Sequence, residues 1–254
     1  SSLAFTSSSR VSSSRYSLEK IAPLLNLEEY HDKLQEIQTR INKYLYIPGV
    51  AEFSDIHGPY FKIFSDFSRL RNQPRWSVQP YPKSCLDLGH LFSTAILGYL
   101  STWEYTDGDE KRATKIFKHG LFHDIPEVWT TDVPSPVKKR IPRFREALKI
   151  YEDRCLQKYV YDKLPEYLNQ EIRSIMDVDE KSLDFKLLKG ADYLSADVEC
   201  YIIYSAGCCH PYMYKSAILG FEKDLQENRY IISESCRELH NSIRDFAKKV
   251  IVEL

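Results

Sequence analysis

Glycine is scarce in this chain of 254 residues, with only 9, and methionine scarcer still with 2. So few glycines leave little room for the positive-φ turns of hairpins, and with long charged amphipathic stretches they favour helices. An excess of one charge is missing too: 35 basic residues face 36 acidic ones, for a net charge of −1. That balance gives no overall field to draw in a nucleic-acid polymer, although a local basic patch is compatible with it. There is no apolar run of the roughly 18 residues that a membrane helix needs. The six cysteines are Cys85, Cys155, Cys200, Cys208, Cys209 and Cys236, and they contain no CxxC pair. A disulfide framework belongs to small core-poor secreted domains, so these read as reduced thiols of an intracellular, cytoplasmic protein. Nor is there an internal repeat, or an acidic residue before Glu19. The serine-rich opening, residues 1–20, reads as a flexible tail, with a targeting segment as the alternative.

The length suits one large domain with an added helical segment, and an apolar content of 43% is ordinary for a globular core. Leu27, Tyr30, Leu34, Ile37, Ile41 and Leu45 recur at steps of three and four, predicting an N-terminal helical extension within 21–55 that Pro48-Gly49 ends. Phe61, Phe64, Phe67 and Leu70 predict a helix over 59–71. The prolines of "NQPRWSVQPYPK" then predict a loop. Leu88, Leu91, Phe92, Ala95, Ile96, Tyr99 and Leu100 predict a helix over 86–103 with His90 inside it. "TDGDE" reads as a capping turn, 111–124 as the next helix, and 125–142 as mostly irregular because of its four prolines. Helices are expected again at 143–163, 165–176, 181–206 and 212–250, the last interrupted. No strand alternation occurs, so the fold class is all-α, with residues 56–254 as the main domain.

Seven histidines are present, and most need no functional reading. His123 differs because Asp124 follows it. Adjacent helical side chains diverge by about 100°, so the pair can grip one ion only if the backbone bends; Pro126 is a cause for that bend. Imidazole and carboxylate together suit a hard or borderline divalent cation. His90 is a polar group in an apolar helix, where it wants a partner. Asp192, in "LLKGADYLSADVEC", lies beside a buried stripe and wants a cation, either Lys189 or a metal. Glu127 sits three residues past Asp124, about one helical turn on, and can face the same cavity.

The pattern His90, His123-Asp124, Asp192 resembles the signature of the HD-domain metal-dependent phosphohydrolases, which are all-helical bundles. "HDIPEVWTTDVPSPVK" over 123–138, with Arg75-Trp76 upstream, is similar to the YfbR-like 5'-deoxynucleotidases. The resemblance runs from about Tyr60 to Cys200. It implies one divalent metal (Co, Mn, Zn, Mg, Ni or Fe) on His90, His123, Asp124 and Asp192. It further implies Glu127 as catalytic acid, Arg75 orienting the phosphate and Trp76 contacting the nucleotide. Asp132, Val133, Pro134 and Ser135 would line the sugar side, and Asp124 and Asp192 would also face the substrate. Two departures stand out. Family members carry Glu-His-Ser around the first ligand, whereas Gly89 and Leu91 flank His90 here, which removes a nearby carboxylate. Thr131 stands where a glycine is usual. Two-metal HD proteins recruit extra histidines after the HD pair, and 125–191 contain none.

The expected activity is removal of the 5'-phosphate from nucleoside monophosphates, deoxyribonucleotides preferred. The alternatives are a triphosphohydrolase using Lys138, Lys139, Arg140, Arg143 and Arg145 at the pocket mouth, and a non-catalytic HD-domain binding protein. The expected partner is the nucleotide. No membrane and no nucleic-acid polymer are expected, and a homodimer is compatible, with the aromatic stretch 201–214 as core or dimer surface.

Overall fold

The computed structural model describes residues 57–75, 85–133, 138, 141–207 and 211–252. Trp76, Pro134, Ser135, Lys139, Arg140, Cys208 and Cys209, like the predicted N-terminal extension, lie outside the described residues. Two compact units are distinguished: one runs to Asp66 and includes Asp162–Leu164, the other comprises Phe67–Tyr161 and Pro165–Leu254. The core and the site described below lie in the second unit.

The described residues are helical, and the only β-type pairing among them is an isolated antiparallel bridge between Pro74 and Leu86. In chain order the helices are α1 (Pro59–Ser68), α2 (Asp87–Tyr105), α3 (Glu110–Phe122), α4 (Glu127–Thr130), α5 (Pro142–Tyr159), α6 (Glu166–Met176), α7 (Leu183–Ser205), α8 (Pro211–Gln226) and α9 (Glu234–Val252). The predicted all-α class holds. The stripe at 59–71 continues past α1 as a 3-10 turn, Arg69–Asn72. The long C-terminal prediction divides at 227–233, as expected of an interrupted helix. The stretch 125–142 is less irregular than its prolines suggest. Glu127–Thr130 forms one helical turn behind Pro126, and Pro142 opens α5, where its missing N–H is not needed.

Caps fix the helix starts that matter. Asp109 accepts a bond from Arg112 N at 3.0 Å to open α3, after a turn in which Asp107 and Gly108 take positive φ. Ser182 accepts from Phe185 N at 3.1 Å to open α7. The core lies where α2, α3 and α7 pack together through Leu91, Ala95, Ala113, Ile116, Leu187, Ala191 and Leu194. Small residues set the spacing: a methyl group on Gly120 would meet Ala95 Cα at 2.6 Å and Ala95 N at 2.8 Å. Backbone therefore lies against backbone where α3 crosses α2, one turn before His123.

On the other side of α7, α8 and α9 bury Phe221, Leu225 and Ile232 against Leu194, and Tyr214, Ile218, Ile243 and Ala247 against Cys200. Of the stretch 201–214, Tyr214 is wholly core and stacks on Tyr204 at 4.8 Å, while Tyr201 and Ile202 are exposed. His240 is fully buried there, between Asp197 Oδ2 and Glu222 Oε2, each at 2.8 Å. This clip ties α9 to α7 and α8.

Candidate metal centre

His90 falls in the first turn of α2, inside the helix that the periodicity predicted. That end is held by the bridge: Arg75 N donates to Cys85 O at 2.9 Å and Asp87 N to Gln73 O at 3.0 Å. Two bonds thus carry Arg75 to the helix end that carries His90.

Helix α3 ends at Phe122, two residues before the sequence pattern placed its end. Beyond it Ile125 N bonds to Phe122 O and Glu127 N to Asp124 O, a tightened turn that Pro126 enforces. The bend brings His123 Nε2 to 3.0 Å from Asp124 Oδ2, a separation that two neighbours on a regular helix would not reach. His123 Nδ1 donates to Gly120 O at 2.9 Å, so Nε2 is the atom turned inward. From α7, Asp192 places Oδ1 2.9 Å from His90 Nε2 and 3.7 Å from His123 Nε2. The donor atoms of His90, His123, Asp124 and Asp192 all lie within 4.8 Å of one another.

A divalent ion sits about 2.0–2.2 Å from nitrogen and oxygen donors, so opposite donors stand about 4.0–4.4 Å apart. The observed spread, within 4.8 Å, is of the size that one ion spans. His123 Nε2 is buried and, despite its short approach to Asp124, forms no aligned hydrogen bond. Both observations fit a cation.

The electrostatics agree. Burial would lower the pKa of His123, but Asp124 and Asp192 outweigh it and lift the group to about 10. His90 is raised against the same burial by hydrogen bonds to Asp192 and Glu199. Burial would raise both aspartates, yet Asp124 is held low by His123, and Asp192 by Lys189 and the two imidazoles. Lys189 Nζ is 2.7 Å from Asp192 Oδ2, so the lysine partner and the histidine cluster are both present.

Glu127 is 5% exposed. Burial, then the charges of Asp124 and Asp132, push its pKa up to about 9, against Lys138 and Arg75. In the metal-free protein the pocket therefore favours its acid form. Lys138 Nζ is 3.5 Å from its Oε1, its Oε2 has no hydrogen-bond partner, and Gln73 Nε2 donates to its backbone carbonyl at 2.9 Å. Arg75 is buried, with one terminal nitrogen 3.9 Å from Asp124 Oδ2. Asp132 and Val133 are partly buried. Thr131, before them, has φ 62° and ψ 165°, a conformation that suits glycine.

Three residues at the site escaped the sequence reading. Glu199, on α7, accepts from His90 Nδ1 at 3.1 Å and from Arg75 Nε at 3.2 Å. Ser195 Oγ lies 3.1 Å from His90 Nδ1. The available signal was the spacing of Asp192, Ser195 and Glu199, which share one helical face. Asp87, one turn before His90, is 1% exposed with both carboxylate oxygens unbonded; burial pushes its pKa up to about 7.

Known proteins give the same picture. Residues 62–237 match the family model described as 5'-deoxynucleotidase YfbR-like. A 5'-deoxynucleotidase of Photorhabdus laumondii is 29% identical over 195 residues, 74% of this chain and 90% of the relative. One from Yersinia pestis is 34% identical over 149 residues, 57% of this chain and 74% of its own. Among solved structures, an HD-domain phosphohydrolase from Listeria innocua shares the fold with a TM-score of 0.54 at 18% identity, over 76% of this chain and 88% of that one. A Pyrococcus horikoshii protein does so with a TM-score of 0.52 at 19% identity, over 73% and 98%. With a family match across most of its length and the histidine–aspartate cluster in place, the chain belongs to the YfbR-like 5'-deoxynucleotidase family of HD-domain phosphohydrolases.

Proposed function

We propose that this protein removes the 5'-phosphate of nucleoside monophosphates, deoxyribonucleotides preferred, with one divalent cation held by His90, His123, Asp124 and Asp192. The observation that carries the reading is the convergence of those four donors, from α2, the α3 turn and α7, beside a buried neutral Glu127. The mixed nitrogen and oxygen donor set suits a borderline ion such as Mn, Fe, Co, Ni or Zn better than Mg. When bound, the ion polarises a phosphoryl oxygen and lowers the pKa of a water molecule.

The protein's own groups do the rest. Arg75 offers its terminal guanidinium nitrogens to two phosphate oxygens, a bidentate geometry that lysine does not match. Water attacks phosphorus as the bond to the sugar 5'-oxygen breaks, and Glu127 delivers its proton to that departing oxygen. Lys138 stands beside Glu127 and favours the carboxylate left behind. Asp132 accepts from a sugar hydroxyl, with Val133, Pro134, Ser135 and Trp76 completing the pocket. The nucleotidase domain comprises residues 56–254. Cys85, Cys155, Cys200 and Cys236, present as thiols and not as disulfides, support an intracellular, reducing location. A homodimer is supported by the apolar side chains that α2 exposes at Phe92, Ile96, Leu100 and Trp103.

The test is a screen of each ribo- and deoxyribonucleoside 5'-monophosphate against each metal. Inorganic phosphate should appear fastest from a deoxy substrate. Release of triphosphate from nucleoside triphosphates alone would favour the triphosphohydrolase, and bound metal with no hydrolysis of any nucleotide would leave a binding protein.

A further inference from the structure

Glu199 belongs to no part of the motif that marks the family, yet it touches two groups with different tasks. Its side chain is 10% exposed and lies two helical turns beyond Asp192 on the same face of α7. Oε1 accepts from His90 Nδ1 at 3.1 Å, and Oε2 accepts from Arg75 Nε at 3.2 Å. We propose that Glu199 is a positioning residue that fastens the metal-facing histidine and the phosphate-binding arginine to one carboxylate, setting the distance between cation and phosphate. The inference rests on the nucleotidase reading above.

The geometry supports each half. With Nδ1–H held by Glu199, His90 presents Nε2 to Asp192 Oδ1 at 2.9 Å, and the ring cannot turn over without breaking that bond. The partner of a ligand's second nitrogen governs its orientation and basicity. His123 is anchored by a neutral carbonyl, so His90 is the ligand whose second nitrogen bears on a carboxylate. For Arg75, Nε carries a single hydrogen. Spending it on Glu199 leaves the four terminal N–H groups, one of whose nitrogens lies 3.9 Å from Asp124 Oδ2, for an incoming anion. Gly89, beside the first ligand, carries no side chain, and the carboxylate on His90 Nδ1 comes from α7, across the bundle. Ser195 Oγ also reaches His90 Nδ1, at 3.1 Å, but forms no hydrogen bond to the arginine.

The experiment measures binding without turnover, so an inactive wild type would count against the proposed function and not against Glu199. Co(II) affinity is read by titration calorimetry, then inorganic phosphate affinity on the Co(II)-loaded protein, for wild type, E199A, S195A and R75A. In E199A, Co(II) should bind about 10–100-fold more weakly. Its visible spectrum should shift, and phosphate affinity should fall as well. R75A should lose phosphate and keep Co(II), and adding E199A to R75A should remove no further phosphate affinity. Wild-type affinities in E199A, loss of only one of the two, or an equal double loss in S195A would overturn the proposal. Should E199A fail to fold, E199Q decides: its amide can accept from one donor and must offer N–H to the other. Loss of either affinity then supports the role, and retention of both overturns it.

Discussion

Gly120→Ala tests whether the close crossing of α2 and α3 builds the metal centre. The added Cβ would lie 2.6 Å from Ala95 Cα and 2.8 Å from Ala95 N. Ordinary carbon contacts are about 3.5–4.0 Å, so the helices must part by about 1 Å. No flexible side chain can absorb the shift, because the atoms met are backbone. Overpacking of this kind costs about 1–3 kcal/mol, which in a chain of this size lowers the melting midpoint by about 2–12 °C. The damage should also reach function, because Gly120 O holds His123 Nδ1 at 2.9 Å and so aims a metal donor. Co(II) affinity should therefore drop with the midpoint. Gly89→Ala is the control: an exposed α2 glycine with nothing within 4 Å of a new Cβ. It should be stabilising by about 0.5–1 kcal/mol, the ordinary gain for alanine over glycine in a helix. If thermal melts and Co(II) titrations of the two variants coincide, the close-packing argument is wrong.

Glu127→Gln should keep Co(II) and nucleotide binding yet slow phosphate release about 10²–10⁴-fold, the usual contribution of a positioned acid; near-normal rates would remove Glu127 from the mechanism. The pKa of His123 in the metal-free protein, about 10, lies above its ordinary value. Its charged form therefore stabilises the stripped protein fully below pH 6.5, and that contribution is lost as pH climbs towards 10. Since a cation displaces the proton, the gap in melting midpoint between Co(II)-loaded and stripped protein should widen from pH 6.5 to 9, with proton release seen calorimetrically in buffers of different ionisation enthalpy. A gap that stays flat would contradict the assignment. Thr131→Gly should raise stability by about 1–2 kcal/mol: strain of about 1–3 kcal/mol is relieved, less the added entropy of the unfolded chain. Chemical denaturation would reveal no gain if the loop tolerates threonine. His240→Ala should cost about 3–5 kcal/mol because it strands the buried Asp197, while metal affinity below the melt stays unchanged.

Much was legible before any coordinates. The period of three to four around Leu91, Ala95 and Leu194 predicted helices because burial of one face imposes it. The break at Pro126 predicted a bend after the His-Asp pair, and that bend is present. His90, His123, Asp124 and Asp192 are the donor set that the resemblance to the HD-domain phosphohydrolases implies, and they converge. Other features left little local trace. Glu199 reads as one more glutamate on a charged helix, since nothing near it in sequence speaks of Arg75, which lies 124 positions away. Buried Asp87 and the His240 clip are similarly silent, because burial is decided by elements that fold against them.

The sequence by itself determined the helical class and the bend, because periodicity and proline geometry are properties of residues and their near neighbours, and its resemblance to a family supplied the donor set. Only the tertiary structure decided that burial favours the acid form of Glu127, that His90 shares a carboxylate with Arg75, and that α2 and α3 meet backbone to backbone at Gly120. Each of those depends on desolvation or on distances between distant segments, and these exist only once the chain has packed.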